Sequence, residues 1–121
     1  MTVPRNTRST GKSRLVLFNV KLPADLYNAV HEAVKRGVAT NVSEFVRYAV
    51  SVLLAQGTYP APPPFRKPIV HISFHLTEWA MLQLEELVAR GVYSSVAEAI
   101  RAAIYHVLGK SETVEVALTA S

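Results

Sequence analysis

His71-Ile-Ser-Phe-His-Leu76 alternates without a break: His71, Ser73 and His75 are polar, and Ile72, Phe74 and Leu76 are apolar. In an extended chain, side chains at every second position share a face, so the stretch reads as a strand with one polar and one apolar side. Two histidines around a serine suggest three uses of the polar side: a metal site, a nucleophile with its base, or a surface that recognises something without catalysis.

Leu17-Phe-Asn-Val-Lys-Leu22 alternates in the same way, 54 positions earlier. That offset holds without a gap from Val16/Val70 to Leu54/Leu108. Glu32/Glu86, Val34/Val88, Arg36/Arg90, Gly37/Gly91, Val42/Val96, Glu44/Glu98 and Arg47/Arg101 are identical pairs. The chain is a tandem duplication. In each copy the strand leads into a helix, opened by Pro23 or by Thr77, which suits a cap. Leu26, Val30, Ala33 and Val34 form its apolar stripe, matched by Ala80, Leu84, Leu87 and Val88. Gly37 and Gly91 stand where a helix-terminating glycine belongs.

A second helix starts at Asn41-Val-Ser-Glu44 and at Ser95-Val-Ala-Glu98, both capping-box patterns. Tyr48 and Val52 widen the first copy's apolar stripe almost all round, the pattern of a helix buried against a partner. The expected division is an arm at 1–13, a first unit at 14–56, a proline-rich linker at 57–67, a second unit at 68–110 and a tail at 111–121. Four prolines between Gln56 and Lys67 prevent helix there and favour an extended connector reaching about 30 Å. Such a run can also serve as a ligand for aromatic grooves.

Composition narrows the function. The chain has 121 residues, half of them hydrophobic, and no apolar run near the length that spans a bilayer. No apolar block near the N-terminus suggests a secretory signal, and without cysteine neither disulfides nor thiolate metal sites can form. A soluble intracellular protein is the expectation. The net charge of +4 is uneven: residues 1–13 carry +3 and the last eleven carry −2. A basic arm of that kind suits phosphates.

One strand and two short helices cannot stand alone, because the strand lacks a partner and the helices bury too little surface. Two copies resolve this by pairing their strands antiparallel over four helices, within one chain or swapped between two. Asn19 then lies near Ser73, Leu17 near His75 and Lys21 near His71. Phe18, Val20, Leu22, Ile72, Phe74 and Leu76 face the helices. The other face is uncovered, and a two-stranded ribbon fits the major groove of DNA.

Phe18-Asn-Val-Lys-Leu-Pro23, a helix, a glycine turn and Asn41-Val-Ser-Glu-Phe-Val-Arg47 together resemble the ribbon-helix-helix class of DNA-binding regulators, which includes the Arc and MetJ repressors. The second copy keeps Glu98, Ile100 and Arg101 but has Ala97 where the first has Ser43. The resemblance covers residues 14–56 and 69–109. It implies a mainly α fold with one two-stranded antiparallel ribbon, built as β-α-α-β-α-α from two fused ribbon-helix-helix units that form an intrachain pseudo-dimer.

The resemblance also implies a cytoplasmic transcriptional regulator, a repressor, in a prokaryotic or viral-in-host setting. Double-stranded DNA is its partner, and neither a membrane, a cofactor nor a small-molecule effector is expected. Base contacts fall to Leu17, Asn19, Lys21, His71, Ser73 and His75. Asparagine can pair bidentately with adenine, lysine can donate to guanine, and leucine can meet a thymine methyl. Phosphate contacts fall to Asn41, Val42, Ser95 and Val96 at the second-helix N-termini, and to Arg5, Arg8, Lys12 and Arg14. The two strands differ, so each chain should read an asymmetric half-site, with a homodimer or higher oligomer on adjacent half-sites.

Other readings fit less well. His71-x-Ser and His75-x-Thr echo the elements of two-histidine phosphoesterases, but those must converge from separate strands and here they share one. The two histidines lie about 13 Å apart along a strand, too far for one zinc. They can also be exposed and idle. The main alternative is an antitoxin-type protein that binds DNA and a partner toxin, with Thr113-Val-Glu-Val-Ala-Leu118 as an extra strand or a partner-binding tail; co-purification with a neighbouring gene's product would separate the two.

Overall fold

A computed structural model of the chain describes residues 14–120, with side chains for residues 14–109. The elements run β1 (Leu15–Pro23), α1 (Ala24–Lys35), α2 (Val42–Gln56), β2 (Ile69–Thr77), α3 (Glu78–Ala89) and α4 (Val96–Ala120). The two strands pair antiparallel within the chain, with Leu17 opposite His75, Asn19 opposite Ser73 and Lys21 opposite His71. A slip of one residue would turn one strand's apolar set toward water, so alternation selects this register. Val20, Leu22, Ile72, Phe74 and Leu76 are buried. Phe18 packs partly buried against them, its ring edge-on to Phe74 with centroids 6.0 Å apart.

The duplication reappears as paired hydrogen bonds. Ala24 N–H donates to the Pro68 carbonyl at 2.8 Å, and Glu78 N–H donates to the Arg14 carbonyl at 2.7 Å. Each strand's lead-in thus satisfies a free N–H at the start of the other half's helix. Gly37 and Gly91 take φ of +89° and +82°. That lets Val38 N–H reach back to the Ala33 carbonyl and Val92 N–H to the Leu87 carbonyl, closing both helices in the same motif. At the second helices, Asn41 Oδ1 accepts from Glu44 N–H at 2.8 Å and Ser95 Oγ from Glu98 N–H at 3.0 Å. Glu44 and Glu98 reach back to Thr40 N–H and Ser94 N–H, one residue before the cap.

Beneath the ribbon, α2 and α4 cross, and their buried Ala49, Ala99, Ala102 and Ala103 let the backbones approach closely. All buried apolar residues form one cluster, drawn from both halves. The linker is fastened along its length. The Tyr93 hydroxyl donates to the Pro60 carbonyl at 2.6 Å, and burial pushes that phenol up to about 12, so it stays a donor. Arg66 pairs with Asp25 at 2.9 Å, and the Arg101 guanidinium sits 4.5 Å above the Phe65 ring.

The expected fold class, mainly α with two fused ribbon-helix-helix units, needs correction. Among the described residues, four helices and one two-stranded sheet make a mixed helix-and-sheet fold in which the sheet closes one side of the core. The halves do not match: α4 has 25 residues against 15 in α2, and the two share a single core. Thr113–Leu118, expected as an extra strand or a tail, lies inside α4. Adding a residue to an existing helix needs no new nucleus, so the helix that starts at Val96 carries on through this segment. Tyr48, expected to face a partner helix, is 50% exposed. No helix among the described residues is long and apolar enough to cross a membrane.

Candidate nucleic-acid interface

Parity along each strand builds the candidate surface. With the even-numbered side chains turned to the core, Leu17, Asn19, Lys21, His71, Ser73 and His75 all project from the opposite face, and all six are exposed. They form three cross-strand rows, Leu17–His75, Asn19–Ser73 and Lys21–His71. Asn19 and Ser73 are also repeat equivalents, so the approximate twofold axis passes between them. Ser73 Oγ donates to Asn19 Oδ1 at 2.6 Å. The amide is fixed across the strands, and its NH2 group is left to donate outward.

Two arginines hold the ribbon from its edges. Arg47 donates to the His75 carbonyl at 3.0 Å, and Arg101 donates to the Lys21 carbonyl at 3.1 Å. Each reaches from a helix of one half to the strand of the other, and each grips the backbone of a candidate contact residue. Glu44 and Glu98 stand three residues before them on the same helices, but the arginines' hydrogen bonds go across to the other half's strand. A bond to a backbone carbonyl 28 or 80 positions away leaves no sequence signal.

Asn41 and Ser95 cap α2 and α4, and Val42 and Val96 open them. Arg47 follows Asn41 by six residues, roughly 9 Å along the axis, so the helix start lies within about two turns of the arginine that grips β2. Glu44 and Glu98 sit at the same termini, and their hydrogen bonds with the Thr40 and Ser94 backbones hold both carboxyls below the usual range. They stay ionised at neutral pH and oppose an incoming phosphate there. Arg14 is exposed at the foot of β1. Arg5, Arg8 and Lys12 lie outside the described residues.

One ribbon residue escaped the sequence reading. Leu15 shares the parity of Leu17, and the two are 53% and 57% exposed on the same face. That parity was the available signal. Together they extend the outer face of β1 with exposed apolar surface.

Compared with protein-family models, curated proteins and solved structures, the chain finds no match.

Proposed function

We propose that this protein binds double-stranded DNA sequence-specifically by laying the β1–β2 ribbon in the major groove, and acts as a cytoplasmic transcriptional repressor. The observation that carries the reading is the uncovered face with its three rows of exposed side chains. Strands about 4.8 Å apart make a ribbon narrow enough for a groove about 12 Å wide. Its chemistry suits base edges: donors from Lys21 and the Asn19 amide, apolar contact from Leu17 and Leu15, and groups on His71, Ser73 and His75 that donate or accept. The core beneath keeps the ribbon from collapsing, and the two arginine grips fix its edges.

The two strands differ in every row, so the motif read by one chain is asymmetric. Two chains side by side restore symmetry to a longer operator. Selection from a random pool of duplexes at moderate salt tests the reading. A short, non-palindromic motif should be enriched; recovery of unselected sequence, or of single strands only, would overturn it.

A further inference from the structure

Arg47 and Arg101 are repeat equivalents, and the carbonyls they hold, those of His75 and Lys21, are equivalent too. Their surroundings differ. The Phe65 ring of the linker lies against the Arg101 guanidinium, its centroid 4.5 Å from Cζ. Among the described residues no ring stacks on Arg47 in this way, and residues 1–13 and 110–121 contain no aromatic side chain at all. The inequality therefore follows from composition as well as from geometry.

A cation over a ring face is attracted by the ring's quadrupole, and more strongly once the cation has lost water. Burial has taken water from the Arg101 guanidinium and lowers its pKa from the ordinary value. The ring is itself held in place, because the linker is fastened on either side of it: the Tyr93 hydroxyl donates to the Pro60 carbonyl, and Arg66 pairs with Asp25. Contacts thus run unbroken from the linker through Phe65 and Arg101 to the Lys21 backbone. We propose that Phe65 is a positioning residue for base reading, an assignment that rests on the ribbon reading DNA. Stacked on Arg101, it steadies the strand that aims Lys21, so the linker sharpens discrimination at the Lys21–His71 end of the ribbon. The Leu17–His75 end is held by Arg47 without a ring and is read less strictly.

Phe65 is 47% exposed, so replacing it spares the core, and a melting curve checks that each variant folds. The test uses the full chain and duplexes that carry its selected motif with each base pair changed in turn. The pair read by Lys21 is the one at which Lys21→Ala loses its preference, and Leu17→Ala locates the pair at the other end. Phe65→Ala should reduce discrimination at the Lys21 pair about two- to fivefold, the loss of one cation–ring contact, and leave the Leu17 pair unchanged. Phe65→Tyr should keep the parent's preference, whereas Phe65→Leu, apolar but without a ring face, should not. In an Arg101→Ala background Phe65→Ala should have no further effect. Full discrimination in Phe65→Ala, an equal loss at both ends, rescue by leucine, or an additive effect with Arg101→Ala overturns the inference and leaves DNA reading standing. A parent chain that enriches no motif overturns that reading, and the inference with it.

Discussion

Ser73 and Asn19 stand opposite each other on the two strands, joined by a 2.6 Å hydrogen bond from the serine hydroxyl to the amide oxygen. The bond does little for stability because both groups are exposed, but it orients a side chain that can recognise adenine. Ser73→Ala should leave the melting temperature nearly unchanged. It should weaken binding to the selected duplex by about 1 kcal/mol, the worth of one hydrogen bond, with the loss confined to the base that Asn19 meets. A uniform loss over all sequences would separate Ser73 from base reading.

The inner face responds in the opposite way. Phe74 is buried under the ribbon and touches Phe18 edge-on. Phe74→Ala should destabilise the fold by about 3–5 kcal/mol in denaturant titration. If that substitution proved silent, the two faces of the ribbon would have been exchanged.

Arg47→Ala and Arg101→Ala each remove a grip on an outer-edge carbonyl. Each should cost about 0.5–1.5 kcal/mol of stability and speed hydrogen exchange in the strand it releases, β2 for Arg47 and β1 for Arg101. Exchange that quickened equally in both strands would mean that the arginines act through the core.

The capping glutamates set an acid limit. Hydrogen bonds with Thr40 and Ser94 lower the folded-state pKa values of Glu44 and Glu98 below their unfolded values. Their contribution is therefore complete above roughly pH 4.3 and fades as pH falls through the folded values. Melting temperatures of Glu44→Gln and Glu98→Gln should lie below the parent's near neutrality and converge with it in acid. A gap that stayed constant into strong acid would remove the ionised caps from the account.

What could be read from the sequence follows from how local each signal is. The faces of the strands show in a period of two, the turns in Gly37 and Gly91, and the caps in Asn41–Glu44 and Ser95–Glu98, because each needs only a few neighbouring residues. The same alternation in Thr113–Leu118 misled, since a helix already running can carry valine and threonine forward. Contacts that join distant backbone, such as Arg47 to the His75 carbonyl or Tyr93 to the Pro60 carbonyl, depend on the assembled core. The inequality of the halves lies in a contrast between the copies: residues 111–121 stand at the repeat offset from the linker at 57–67, and without Gly57 and the linker prolines the helix runs on.

Affinity should fall steeply with salt, and deleting residues 1–13 should reduce the slope of log K against log salt by about 2.7, the share of Arg5, Arg8 and Lys12 at 0.9 per phosphate. An unchanged slope would take the arm off the DNA.

The most direct measurement is fluorescence anisotropy on the selected duplex, comparing the parent with Asn19→Ala/Lys21→Ala. With two base contacts gone at about 1–3 kcal/mol each, specific binding should drop to the level of random duplex. Stability should stay within about 0.5 kcal/mol per site, as for other surface substitutions. Undiminished affinity for the selected sequence in a folded variant would contradict the claim that this ribbon reads DNA.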